Sequence, residues 1–271
     1  MLDPGLTFLN GISRPALIAM IHVGALPGTP RSKSTVAEIA ASAVNEAKLL
    51  ADGGVDAILL ENMHDVPYLN RQVGPEIVAA MTAICAAVRQ AVALPLGVQI
   101  LAGANREAVA VAHASGCQFV RCEGFVFAHV ADEGLMPEAD AGPLLRYRKM
   151  IGAEEVAILA DVKKKHSSHA ITADVDLAET AQAAEFFGAS GVVVTGPATG
   201  RPTSVDDLAA VRKAVNIPVF VGSGVTPENA KALAPHAHAF FVGSYLKKDG
   251  YWANKPDPDR VASTVRVVRS L

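Results

Sequence analysis

Short apolar runs alternate with longer, Ala-rich helical stretches from one end of the chain to the other. The runs occupy residues 16–22, 56–61, 96–101, 118–122, 156–162, 191–195, 218–222 and 237–243. They are bounded by turn residues and enriched in Val, Ile and Phe, which predicts strands buried on both faces. Between the first two, Val36, Ile39, Ala40, Ala43, Val44, Ala47 and Leu50 recur at helical spacing. Thr35 and Glu38 have the form of a capping box, and Thr226-Pro227 places a cap residue before a proline suited to a first helical position. Eight strands, each followed by a helix and the last helix at 258–271, predict an α/β fold: one (β/α)₈ barrel domain over 1–271. An open doubly wound sheet would carry GxGxxG in its first strand-to-helix turn, and the chain there reads Val23-Gly24-Ala25-Leu26-Pro27-Gly28.

A barrel keeps its chemistry at the C-terminal strand ends and the loops beyond them. The polar residues there are His22, Glu61, Asn62, Gln99, Asn105, Arg121, Glu123, Asp161, Lys163, Lys165, His166 and Thr195. The seventh and eighth strands run into Gly222-Ser223-Gly224 and Gly243-Ser244. Glycines at these two positions let an anion approach backbone N–H groups, so a phosphate-binding barrel is expected. Gly196, Gly200 and Arg201, in the loop after the sixth strand, would complete the cradle or form a lid. Asn62, Asn105, Arg121 and Thr195 are candidates for contacts with the rest of a substrate.

Asp161, Lys163 and Lys165 share one face if the chain stays extended, which brings an acid and two amines to the mouth. Lys163 and Lys164 read as a solvated basic rim. Asp161 follows an apolar strand and reads as desolvated, a condition that suits a catalytic acid or base. His22 and Glu61 end neighbouring strands, as an acid/base pair or as a structural hydrogen bond. His166 and His169 have HxxH spacing, but the second cluster a metal site needs is missing, so no metal and no cofactor are expected. His236 and His238 lie at the opposite end of the barrel and read as structural.

Composition narrows the possibilities. Hydrophobic residues make up 51% and charged residues 19%, mean hydropathy is +0.28, and Lys plus Arg number 24 against 27 acids. That balance gives a net charge of −3 and argues against a nucleic-acid partner. The three cysteines form no CxxC pair, and the N-terminal residues lack the basic flank of a signal peptide. A cytoplasmic protein with reduced thiols and no membrane insertion is expected, with homo-oligomerisation left open.

The chain resembles the BtpA/SgcQ family. The resemblance rests on Ile21-His22 with Ala25-Leu26-Pro27-Gly28-Thr29-Pro30-Arg31, on Glu61-Asn62 with Asp65-Val66-Pro67, and on Phe119-Val120-Arg121. It continues through Asp161-Val162 with Lys165-His166, Thr195-Gly196, Gly222-Ser223-Gly224-Val225-Thr226 and Val242-Gly243-Ser244. It implies a phosphate-binding barrel and two different roles. One is a sugar-operon protein of unassigned activity, and the other is a factor in photosystem I accumulation. The segments Leu101-Ala102-Gly103-Ala104-Asn105 and Cys122-Glu123-Gly124 depart from the family pattern at two strand ends. The expected function is an isomerase or lyase on a phosphorylated sugar or similar metabolite, with Asp161 or Glu61 moving protons and Lys165 and His166 polarising a carbonyl. A Lys165 Schiff-base aldolase, a nucleoside or glycoside hydrolase, and a non-catalytic assembly factor are the alternatives.

Overall fold

The computed structural model describes residues 3–196 and 202–271. Eight parallel strands close into a barrel: β1 (Ala16–His22), β2 (Ala57–Glu61), β3 (Leu96–Gln99), β4 (Phe119–Cys122), β5 (Ala157–Val162), β6 (Gly191–Val194), β7 (Val219–Val221) and β8 (Ala239–Val242). β1 pairs with β8 through Ala16 and Ala239, which shuts the sheet on itself. A helix follows each strand: α1 (Val36–Asp52), α2 (Pro75–Ala91), α3 (Asn105–Ser115), α4 (Ala141–Met150), α5 (Leu177–Phe186), α6 (Val205–Ala214), α7 (Pro227–Leu233) and α8 (Pro258–Arg269). Thr35 and Glu38 form the expected capping box on α1, and Thr226 caps α7 ahead of Pro227.

Alternation along each strand divides the core in two. Ala16, Ile18 and Met20 of β1 turn inward with Ala57, Leu59, Phe119, Leu159, Val193, Phe220 and Phe241. Their neighbours Leu17, Ala19 and Ile21, with Ile58, Leu60, Val98 and Val120, pack against the helices. The interior mixes very small and very large residues. A Cβ on Gly97 would lie 2.1 Å from the Phe119 ring, so the glycine makes room for the aromatic.

Two features have no counterpart in the strand-and-helix count. A 3₁₀ helix, Pro4–Leu9, closes the bottom of the barrel and buries Leu6 completely in the interior cluster. At the top, the β4–α4 connection carries a hairpin of His129–Ala131 and Gly134–Met136, and Ser167–Ser168 of the β5–α5 connection pairs with its first strand. No helix among the described residues is long and apolar enough to cross a membrane.

Candidate active site at the barrel mouth

Continuing the inward phase one step past the apolar interior places His22, Glu61, Gln99, Arg121, Asp161, Thr195, Gly222 and Gly243 at the mouth. The polar layer is therefore a direct consequence of strand periodicity. Arg121 and Asp161, on adjacent β4 and β5, form a buried bidentate pair with Nε–Oδ1 at 2.7 Å and Nη2–Oδ2 at 2.9 Å. Both Asp161 oxygens are engaged in this pair, so the carboxylate positions the guanidinium.

His22 Nδ1 lies 2.7 Å from the backbone carbonyl of Trp252. Only a protonated Nδ1 can donate to that oxygen, and Nε2 is then left with its lone pair. Nε2 faces Glu61 Oε2 across 4.0 Å, too far for a direct hydrogen bond. Burial, reinforced by Lys247, drives the His22 pKa down to about 3, which keeps the ring neutral. Burial raises the Glu61 pKa, against the pull of Arg121 and Lys165. Lys165 has its pKa lowered by burial and then by Arg121. The mouth thus holds a neutral imidazole, a carboxyl inclined to keep its proton and an amine inclined to lose one.

Beside these groups lie the glycine turns. Gly224 has φ of +67°, in the left-handed region. The N–H groups of Gly224, Val225, Ser244 and Tyr245 make no turn or loop bond to another backbone group among the described residues. A Cβ on Gly243 would sit 3.1 Å from His22 Nε2, so this glycine lets the loop approach the imidazole. Ser223 Oγ accepts from Gly196 N at 2.9 Å and Thr195 Oγ1 accepts from Lys165 N at 3.1 Å, which ties together the loops after β5, β6 and β7. Lys247, fully buried, anchors the β8 loop to α1 through Glu46 at 2.8 Å.

A cavity of about 150 Å³ joins residues 222–226 and 242–245 to His22, Glu61 and Lys165. A second, of about 200 Å³, opens on the other side of Glu61 and Lys165 and is lined by Gln99, Arg121, Glu123 and Lys164. His166 borders this far chamber, its side chain nearly half exposed beside Asp132.

Several expectations need correction. The chain after β5 is not extended, because Lys163 and His166 have φ of +45° and +55°. Lys163 therefore turns to the Thr172 carbonyl, while Lys164 is buried between Glu123 at 3.3 Å and Glu133 at 3.6 Å and is no part of a solvated rim. Asn62 and Asn105 serve the loops. Asn62 accepts from Leu101 N and donates to Asp65, and Asn105 bridges Glu123 and Asp140. His169 contacts the Lys164 carbonyl, away from Asp132, the acidic neighbour of His166. Among the described residues no group of three or more His, Cys, Asp or Glu is disposed to hold a metal ion. Gly200 and Arg201 lie outside the described residues. The sequence pattern signals neither the Trp252 carbonyl nor the burial of Lys164 and Lys247. A backbone acceptor leaves no signal in a side-chain pattern, and the burial of a lysine depends on what folds over it.

A model of the BtpA family matches residues 13–270. An uncharacterized mitochondrial protein of Caenorhabditis elegans is 44% identical over 264 residues, covering 96% of this chain and 95% of its own. The photosystem I biogenesis protein BtpA of Synechocystis sp. is 35% identical over 253 residues, covering 93% and 87%. Among solved structures, tryptophan synthase from M. tuberculosis aligns with a TM-score of 0.63 at 17% identity, over 98% of this chain and 99% of that one. Thiamine phosphate pyrophosphorylase from Pyrococcus furiosus aligns at 0.58 and 17%, over 94% and 96%. At these identities the structural likeness carries the fold and no more.

Proposed function

The chain belongs to the BtpA family, and we propose that it is an enzyme, an isomerase or lyase acting on a phosphorylated sugar or related small metabolite. The observation that carries this reading is one cavity lined both by the glycine turns after β7 and β8 and by His22, Glu61 and Lys165. Two barrel neighbours named for phosphorylated compounds, thiamine phosphate pyrophosphorylase and N-(5'-phosphoribosyl)anthranilate isomerase, support phosphate handling by analogy of fold.

In this reading the phosphate rests on the backbone N–H groups of Gly224, Val225 and Ser244, and its binding energy holds the reacting carbon beside Glu61. The Nε2 lone pair of neutral His22 accepts a hydrogen bond from a substrate hydroxyl beside that carbon. Glu61, whose proton affinity burial raises, takes a proton from that carbon and returns it to a neighbouring atom. Lys165 polarises the carbonyl while the negative charge develops. The reduced proton affinity of Lys165 also suits an imine with a carbonyl substrate, a second reading that borohydride trapping with substrate distinguishes.

The test starts from a thermal-shift screen of phosphorylated metabolites. A ligand at a hundred times its Kd stabilises the fold by about 2.7 kcal/mol. Gly224→Ala is expected to weaken a binder, and inorganic phosphate with it, about ten- to a hundred-fold. Alanine is chosen because a β-branched residue at φ of +67° would add severe backbone strain. Glu61→Gln is expected to bind like wild type and lose on the order of 10²–10⁴ in turnover. If no phosphorylated compound binds the wild type, the enzyme reading falls and an assembly role like that named for the Synechocystis relative takes its place.

A further inference from the structure

Three buried polar atoms of residues lining the far chamber make no hydrogen bond, Glu133 Oε2, Glu123 Oε2 and Gln99 Oε1. Glu133 Oε2 has Lys164 Nζ at 3.6 Å, which leaves Glu123 Oε2 and Gln99 Oε1 as the orphans. The residues are 7% and 2% exposed. Glu123 is held firmly, since its N–H donates to Asn105 Oδ1 at 3.2 Å and its carbonyl accepts from Asn105 Nδ2 at 2.7 Å. Lys164 engages the other carboxylate oxygen, Oε1, at 3.3 Å. A buried carboxylate oxygen and a buried amide oxygen without donors are costly, and such atoms mark where a ligand's donors belong.

The charges around the chamber select the kind of donor. The lining combines the acids Glu61, Glu123, Asp132 and Glu133 with the bases Arg121, Lys164 and Lys165, Lys164 sitting between Glu123 and Glu133. A ligand carboxylate would meet four acids and offer no proton to the two orphan oxygens. A ligand ammonium would supply donors to the orphans but has no lone pair to accept from Arg121, Lys164 or Lys165. An apolar or aromatic end would leave the orphans dry. A hydroxyl donates to the carboxylate and the amide and accepts from the cations, so it suits every group in the lining.

Glu61 and Lys165 line both cavities, so a molecule with its phosphate at Gly224 and Ser244 passes them to reach Glu123. We propose that the far chamber is a hydroxyl-recognition subsite. Glu123 and Gln99 accept there from hydroxyls on the non-phosphorylated end of the substrate, which makes the substrate class a sugar or polyol phosphate. This inference rests on the phosphate site proposed above, and its test separates the two.

The test is calorimetric titration of the whole protein with inorganic phosphate, with aldose and ketose phosphates of three to six carbons, and with phosphoglycolate as a phosphorylated acid. At least one sugar phosphate is expected to bind tenfold or more tighter than inorganic phosphate. Glu123→Ala and Gln99→Ala should each remove most of that advantage, about tenfold or more, and leave inorganic phosphate binding as in wild type. Gln99→Ala leaves no charge behind, so it reports even if Glu123→Ala unfolds by stranding Lys164. The subsite is overturned if no sugar phosphate gains over inorganic phosphate, if phosphoglycolate gains as much, or if the gain survives in Gln99→Ala. A wild type that binds a sugar phosphate through Gln99 but ignores inorganic phosphate sinks the phosphate site alone. Failure to bind any compound of the set overturns both.

Discussion

His22 ends β1 with one ring nitrogen on the Trp252 carbonyl and the other open to the cavity beside Glu61. Its pKa of about 3 is set by burial, with Lys247 adding to the effect. A free imidazole titrates near 6.5, so acid protonates the unfolded chain first. The stabilising contribution of neutral His22 is complete above pH 6.5 and is lost as pH falls from 6.5 toward 3. Between pH 7 and pH 5 the loss is about 2 kcal/mol. In ¹⁵N NMR the ring should keep a neutral, Nδ1-protonated signature at pH 5. In urea unfolding the wild type should lose about 2 kcal/mol more than His22→Gln over that range. An imidazolium signal at pH 6 would show that burial does not hold His22 neutral and would remove its Nε2 lone pair as an acceptor. Asp161 shows the same dependence on surroundings. A carboxylate ending an apolar strand reads as a catalytic acid or base, and the partner that occupies both its oxygens, Arg121, sits on a different strand.

At the level of elements, the stretch after β5 shows where an extended reading fails. Period-two alternation puts Lys163 and Lys165 on one face, but the left-handed residues Lys163 and His166 turn the chain and send three consecutive lysines in three directions. Lys164 goes under the hairpin of residues 129–136, where Glu123 and Glu133 hold it. The hairpin strands are three residues each, too short for alternation to declare them. Lys164→Met is expected to destabilise the protein by about 3–5 kcal/mol, because it strands two buried carboxylates without their cation. Urea unfolding measures it, and limited proteolysis should show faster cleavage within the hairpin. A cost below about 1 kcal/mol would restore the solvated-rim reading.

At the scale of the whole molecule, closure makes the site. Pairing of β1 with β8 brings His22 against Gly243, and the same closure leaves an apolar bottom that the Pro4–Leu9 turn covers. Leu6 enters the interior cluster with Phe119, Phe220 and Phe241. Leu6→Ala is expected to cost about 2–5 kcal/mol by leaving a cavity in a region with little freedom to collapse. Chemical denaturation measures that cost, and ligand binding at the opposite end of the barrel should be unchanged. A loss below about 1 kcal/mol would show the turn to be a loose cover.

The sequence by itself determined what is local and periodic. Strand phase decided which residues turn inward, so His22, Glu61, Arg121, Asp161 and Thr195 could be named together as the polar layer. The two glycine turns were legible for the same reason, since backbone freedom at Gly222–Gly224 and Gly243 is written in residue type. Tertiary structure alone decided which members of that layer meet. Arg121 satisfies Asp161, Trp252 sets the tautomer of His22 from 230 residues away, and Lys164 leaves solvent for Glu123. Periodicity gives a side chain its direction. Distance, burial and partner exist only once the barrel has closed, and proton affinity follows from those three.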